Sequence, residues 1–235
     1  MLLFLIGCDG KEDVGKKETL SKHESSAAVH HVEFMGASAR AVEVVYVIDR
    51  SGSMIVAGTF DLLKLKLAES IAALDESQKF HLVFFAGREP IEAPAKKLVP
   101  ATAENKLAAG EFLENIVAEG QTLVLPALER AFAVLKEGDP EAAKLVLMLS
   151  DGGFEGFVGL TNEYKGLTGS KAVLKWLDEH NEKIQARDQE GNRVTHRRVQ
   201  IYTFLYRGDL PEDIEAFKQI AAEHGGKFTQ VGKED

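Results

Sequence analysis

Asp49, Ser51 and Ser53 are the residues of this chain whose types and spacing most plainly bear chemistry. A carboxylate followed by two hydroxyls at alternate positions offers only oxygen. Hard cations such as Mg²⁺ and Mn²⁺ prefer that donor, Ca²⁺ is less favoured here, and borderline metals such as zinc do not select it. The same triplet suits a capping loop, since Asp and Ser are common at turns and helix starts. What else the fold brings to the loop decides between these readings.

Two later segments bear on that choice. Glu119-Gly120-Gln121-Thr122 is a glycine-containing turn with a hydroxyl, just ahead of the helical pattern of Ala127, Leu128, Ala131, Phe132 and Leu135. Further on, the apolar run from Leu145 to Leu149 ends in Ser150-Asp151-Gly152-Gly153, repeating the way Val44 to Ile48 ends in Asp49. Runs of this length, closed by a carboxylate and glycine, predict buried strands that deliver polar groups to their carboxyl ends. In an open parallel sheet such ends converge on one crevice, so Asp49 and Asp151 can meet although about a hundred residues separate them.

With these three segments the chain resembles a von Willebrand factor A domain bearing a metal-ion-dependent adhesion site. Asp49, Ser51 and Ser53 match the family's first metal loop, Thr122 its second and Asp151 its third, and the likeness extends over roughly residues 30 to 232. One departure is visible: Gly120-Gln121-Thr122 stands where the family commonly has two glycines before the threonine. The resemblance implies a Rossmann-like, doubly wound α/β fold with a mostly parallel six-stranded sheet and helices on both faces. It implies a divalent cation, Mg²⁺ or Mn²⁺, held by Ser51, Ser53 and Thr122, with Asp49 and Asp151 acting directly or through water. It also implies an open coordination position for the Asp or Glu side chain of a protein partner, in adhesion or in assembly on an ATPase or envelope complex. Met54 is expected to pack beneath the loop and Arg50 to face outward.

Turnover finds little support. The chain has no Gly-x-x-x-x-Gly-Lys loop, no Gly-x-Ser-x-Gly elbow at Ser51 or Ser53 and no His-Glu-x-x-His pair. His81 falls inside a strand and His180 on a remote helix, so no general base for a Mg²⁺-dependent phosphohydrolase is in view.

Composition bounds the remaining choices. With 235 residues, 45% of them hydrophobic and 28% charged, the chain can bury a core and is neither fibrous nor disordered in type. A net charge of -9 offers no basic surface for counterion release, which argues against a nucleic-acid partner. The single cysteine, Cys8, excludes a disulfide within the monomer. Leu5-Ile6-Gly7-Cys8 resembles a bacterial lipobox, which implies lipid on Cys8 and a domain anchored in the cell envelope; a frayed apolar terminus on a cytoplasmic protein is the alternative. No basic residue precedes the apolar stretch, and the stretch is short for a signal core. The mass of the mature amino terminus distinguishes the two. Residues 1–29 read as this apolar start plus a polar linker, and 30–235 as the domain.

The elements that must position the site follow from the pattern. His30-His31 reads as a surface pair, because adjacent strand residues face opposite ways. Val32 to Met35 alternates like an edge strand beside the Val42–Ile48 run. Leu63, Leu67, Ile71 and Leu74 share a helical face, Phe80 to Phe85 is a buried strand, and Ala95 to Val99 reads as a weaker edge strand. A helix is expected over 103–118 despite Gly110, a long glycine-rich loop over 152–169, and a helix over 171–184 with Trp176 in its core face. A charged turn or hairpin around Gly191-Asn192, a strand from Val199, a helix from Pro211 capped by Gly225-Gly226 and a short terminal strand over 227–231 complete the layout.

Overall fold

The structure is a computed structural model that describes residues 30–154, 169–187 and 190–232. The segment with Cys8, the linker after it and most of the glycine-rich loop lie outside the described residues. The sheet grows from β3 (Glu43–Asp49), β4 (Lys79–Phe85), β7 (Lys144–Ser150), β10 (Val199–Tyr206) and β11 (Phe228–Val231), all parallel to their neighbours. Its order is β11-β10-β7-β3-β4-β5, where β5 (Ile91–Glu92) and β6 (Val99–Pro100) both run antiparallel to β4. The sheet is therefore seven-stranded and mixed, and its parallel centre is the expected doubly wound α/β arrangement.

Apolar residues line both faces of the central strands, which is why those strands read as continuous hydrophobic runs. Val44, Tyr46 and Ile48 face one core with Phe60, Leu63, Leu67 and Ile71 of α1 (Thr59–Ala73) and Leu113 of α2 (Ala103–Asn115). Val45 and Val47 face the other, packed by α3 (Leu125–Lys136), α4 (Gly169–His180) and α5 (Pro211–Glu223). Trp176 is in this second core, edge-on to Phe132 with ring centroids 5.3 Å apart. Among the described residues no helix is long and apolar enough to cross a membrane.

Four expectations about elements need correction. Residues 31–34 form β1, but it pairs with β2 (Ala37–Arg40) in a separate hairpin turned at Met35 and Gly36, both at positive φ. It cannot lie beside β3, whose two edges are taken by β4 and β7; instead Phe34 caps the sheet, edge-on to Tyr46 and Phe204. Residues 95–98, expected as an edge strand, are instead the connection between β5 and β6, with Lys96 at φ 52 turning the chain there. The helix expected to reach 184 stops at His180, because the buried Asn181 side chain bonds the amide and carbonyl of Val199 and Ile184 pairs with His196. Residues 183–187 and 193–197 are β8 and β9, the hairpin around Gly191. Helix α2 likewise ends at Asn115, where Ile116 turns extended.

Candidate metal centre

The chain leaves β3 for α1 on one face of the sheet and β7 toward α4 on the other, so the carboxyl ends of these adjacent strands flank the switch point where open α/β sheets bind ligands. Asp49 ends β3 and Ser150 ends β7, in parallel register one step beyond Ile48 and Leu149. The fully buried Asp49 carboxylate accepts the Ser51 amide on Oδ1 at 2.7 Å and the Ser150 hydroxyl on Oδ2 at 2.5 Å. Ser51 Oγ lies 3.0 Å from Ser53 Oγ, and Ser53 Oγ donates to Asp151 Oδ1 at 3.1 Å. Four of the five sequence-derived positions thus form one hydrogen-bonded chain. Thr122 is not in that chain; it is buried in the second loop, which is tied to the first by the Gly52 amide donating to the Gly120 carbonyl at 3.1 Å.

Burial pushes the Asp49 carboxyl up to about 6, against the opposing hydrogen bonds from Ser150 and Ser51, and the charge of Asp151 adds to the rise. Burial raises Asp151 as well, opposed by Ser53. A third carboxylate stands close by. Asp213 on α5 accepts a backbone hydrogen bond from Gly153 and is raised by burial and by the nearby Glu212 and Asp151 charges. Among the described residues no Lys or Arg is paired with any of the three. A cation is what this concentration of negative charge lacks, and the donors present are oxygens. Among the described residues no three His, Cys, Asp or Glu side chains are placed so that together they could hold a metal ion, so a metal here has to draw on the hydroxyls.

Arg50 does not face outward. It is buried, donates to the Val117 carbonyl at 3.2 Å and pairs with Glu119 Oε1 at 3.1 Å, while its own carbonyl accepts the Glu119 amide. An arginine inside a polar loop suggests exposure by residue type, but here it clamps the first loop to the second. Met54 is fully buried beneath the loop, as expected. Ser150 and Asp213 are the residues that sequence reasoning passed over. Ser150 has a usable signal, a hydroxyl at the strand end in register with Asp49; Asp213, on a helix 62 residues beyond Asp151, has none. His81 bonds Glu92 at 2.9 Å, with Arg130 on the same carboxylate at 2.8 Å, and His180 donates to the Trp176 carbonyl.

Residues 44–154 match the profile of the von Willebrand factor type A domain family. A stretch of 148 residues is 30% identical to inter-alpha-trypsin inhibitor heavy chain H4 of Sus scrofa, covering 60% of this chain and 15% of that protein. Among solved structures, a von Willebrand factor type A protein from Catenulispora acidiphila superposes with a TM-score of 0.61 at 17% identity, over 88% of this chain and 43% of that one. Proximal thread matrix protein 1 from the mussel byssus, with zinc in its MIDAS motif, superposes with a TM-score of 0.52 at 20% identity, over 81% and 41%. Sequence profile and fold agree over the segment that holds the site: residues 44–154 match the von Willebrand factor type A domain, and the fold is the one seen in such domains.

Proposed function

We propose that this domain binds a divalent cation through Asp49, Ser51, Ser53, Thr122 and Asp151 and uses it to recognise an acidic side chain of a protein partner. The observation that carries the reading is the hydroxyl-linked pair of carboxylates at the sheet's switch point, Asp49 buried and Asp151 half-buried, with no Lys or Arg among the described residues paired to either. When bound, the cation supplies a Lewis-acidic position to which a carboxylate can add. The chain's own residues set how strongly. Neutral hydroxyls hold the ion without cancelling its charge, and Asp49 is occupied by Ser51 and Ser150, which orient it. Oxygen donors favour Mg²⁺ or Mn²⁺. The zinc in the mussel protein's MIDAS motif makes zinc a necessary competitor in any test.

The reading is one of binding rather than turnover: the histidines His81 and His180 are engaged elsewhere, His81 with Glu92 and His180 with the Trp176 carbonyl. Calorimetry with Mg²⁺, Mn²⁺, Ca²⁺ and Zn²⁺ on the wild type and on Asp49→Ala tests it. Mg²⁺ binding is expected to vanish in the variant while its circular dichroism stays native. Equal affinity in both proteins would refute the assignment. A partner captured from extract should be released by EDTA.

A further inference from the structure

We infer that Asp213 is a sixth residue of the cation site, one that raises its affinity by charge from the α5 side of the third loop. The inference rests on the cation-dependent reading above and gives a task to a residue outside the five proposed to bind the ion. Asp213 stands in the first turn of α5 and is only 5% exposed. Its carboxylate accepts the amide of Gly153, two positions beyond Asp151. A Cβ added to Gly153 would lie 2.7 Å from Asp213 Oδ1, and one added to Gly152 would lie 3.6 Å from Oδ2. Neither glycine is at positive φ. At position 153 it is therefore the close approach of this carboxylate, and not the backbone conformation, that calls for glycine.

A structural role alone does not account for a carboxylate in this place. The helix dipole favours an acid in the first turn, but Glu212 supplies one there while remaining exposed. The Gly153 amide needs only a neutral oxygen, which an asparagine would offer without the cost of burying a charge. Asp213 carries that cost without a counter-charge: among the described residues no Lys or Arg pairs with it, and the charges it faces, Glu212 and Asp151, are both negative. The charge it lacks is positive and belongs where the third loop meets the first, at the Ser53–Asp151 hydrogen bond among the proposed ligands. Near a protein surface the effective dielectric is about 20, so a unit charge acts on a divalent ion without touching it. Asp213 thus destabilises the metal-free fold and is compensated when the ion is bound.

Asp213→Asn tests this, because it keeps the shape and an oxygen for the Gly153 amide and removes only the charge. Calorimetric Mg²⁺ affinity of the full chain is expected to fall about tenfold, while the thermal unfolding midpoint in EDTA at neutral pH is expected to rise. A residue that merely shaped the loop would lower both, so the opposite signs mark the charge. Glu212→Gln removes an exposed charge one residue away and is expected to leave Mg²⁺ affinity within about twofold of the wild type. Wild-type Mg²⁺ affinity in Asp213→Asn, a midpoint in EDTA that fails to rise, or an equal loss of affinity in Glu212→Gln each overturn the inference. Absence of Mg²⁺ binding in the wild type overturns instead the reading on which it stands.

Discussion

At the residue scale, Ser150 is the side chain whose removal best separates holding a carboxylate from merely containing one. Its hydroxyl donates to Asp49 Oδ2 in a buried setting, and hydrogen bonds to charged groups contribute about 1.5–3 kcal/mol. Ser150→Ala leaves β7 intact, since the residue removed is one oxygen at a strand end, but strips Asp49 of its partner from the adjacent strand. Mg²⁺ affinity is expected to fall by roughly tenfold or more, with the unfolding midpoint little changed, measured by calorimetry and thermal melts. Ser150→Thr keeps the hydroxyl and should restore most of the affinity. An unaltered Mg²⁺ affinity in the alanine variant would show that Asp49 needs no such anchor. Asp213 behaves differently at this scale: it takes its hydrogen bond from the Gly153 backbone, so it organises the third loop from the α5 side.

At the element scale, the parallel strands and the first and third loops were legible in the chain because each is local: an apolar run, then a carboxylate and glycine. The second loop was only half legible. Its glycine marks a turn, but nothing in Gly120-Gln121-Thr122 says that Arg50, seventy residues earlier, would grip it. The β1–β2 hairpin was misplaced for a related reason: alternation identifies a strand but not its partner, and β3 had none to spare. Gly120 resolves how the loop manages with one glycine instead of two. Its φ of +84 and its approach to the end of β4, where an added Cβ would come within 2.9 Å of the Ala86 carbonyl oxygen, allow no side chain at that position. Gln121, by contrast, is exposed and free to vary. Gly120→Ala must push backbone against backbone, breaking the Gly52–Gly120 bond and moving Thr122. Strain of this kind costs about 1–3 kcal/mol. The expected result is a folded protein with weaker Mg²⁺ binding, whereas Gln121→Gly should bind as the wild type does; equal Mg²⁺ affinity in Gly120→Ala would sever the second loop from the site.

At the scale of the whole molecule, the two edges of the sheet respond to pH in opposite senses. The carboxyl edge holds Asp49, Asp151 and Asp213, all raised, so the metal-free fold is penalised there as pH rises. The amino edge, from which the chain enters at His30, holds the fully buried His224. Its Nδ1 faces the Asn181 amide nitrogen at 2.9 Å, which fixes the ring as a neutral acceptor, and its Nε2 has no hydrogen-bond partner among the described residues. Burial, then the charge of Arg197 and more weakly that of Lys183, push it down to about 4, with Asp178 opposing. Between that value and its ordinary value of about 6.5 the unfolded chain binds the extra proton, so the stability due to a neutral His224 is complete above pH 6.5 and is lost as pH falls toward 4. The loss amounts to about 1.4 kcal/mol per pH unit across that window. Comparing His224→Gln with the wild type by urea unfolding in EDTA isolates this contribution, because the carboxylate terms are common to both proteins and cancel in the difference. The variant is expected to be less stable than the wild type at neutral pH and to gain on it by about 2 kcal/mol between pH 7 and pH 5. Parallel stability profiles would mean that His224 accepts its proton in the native state and that the amino edge opens to water before the sheet unfolds.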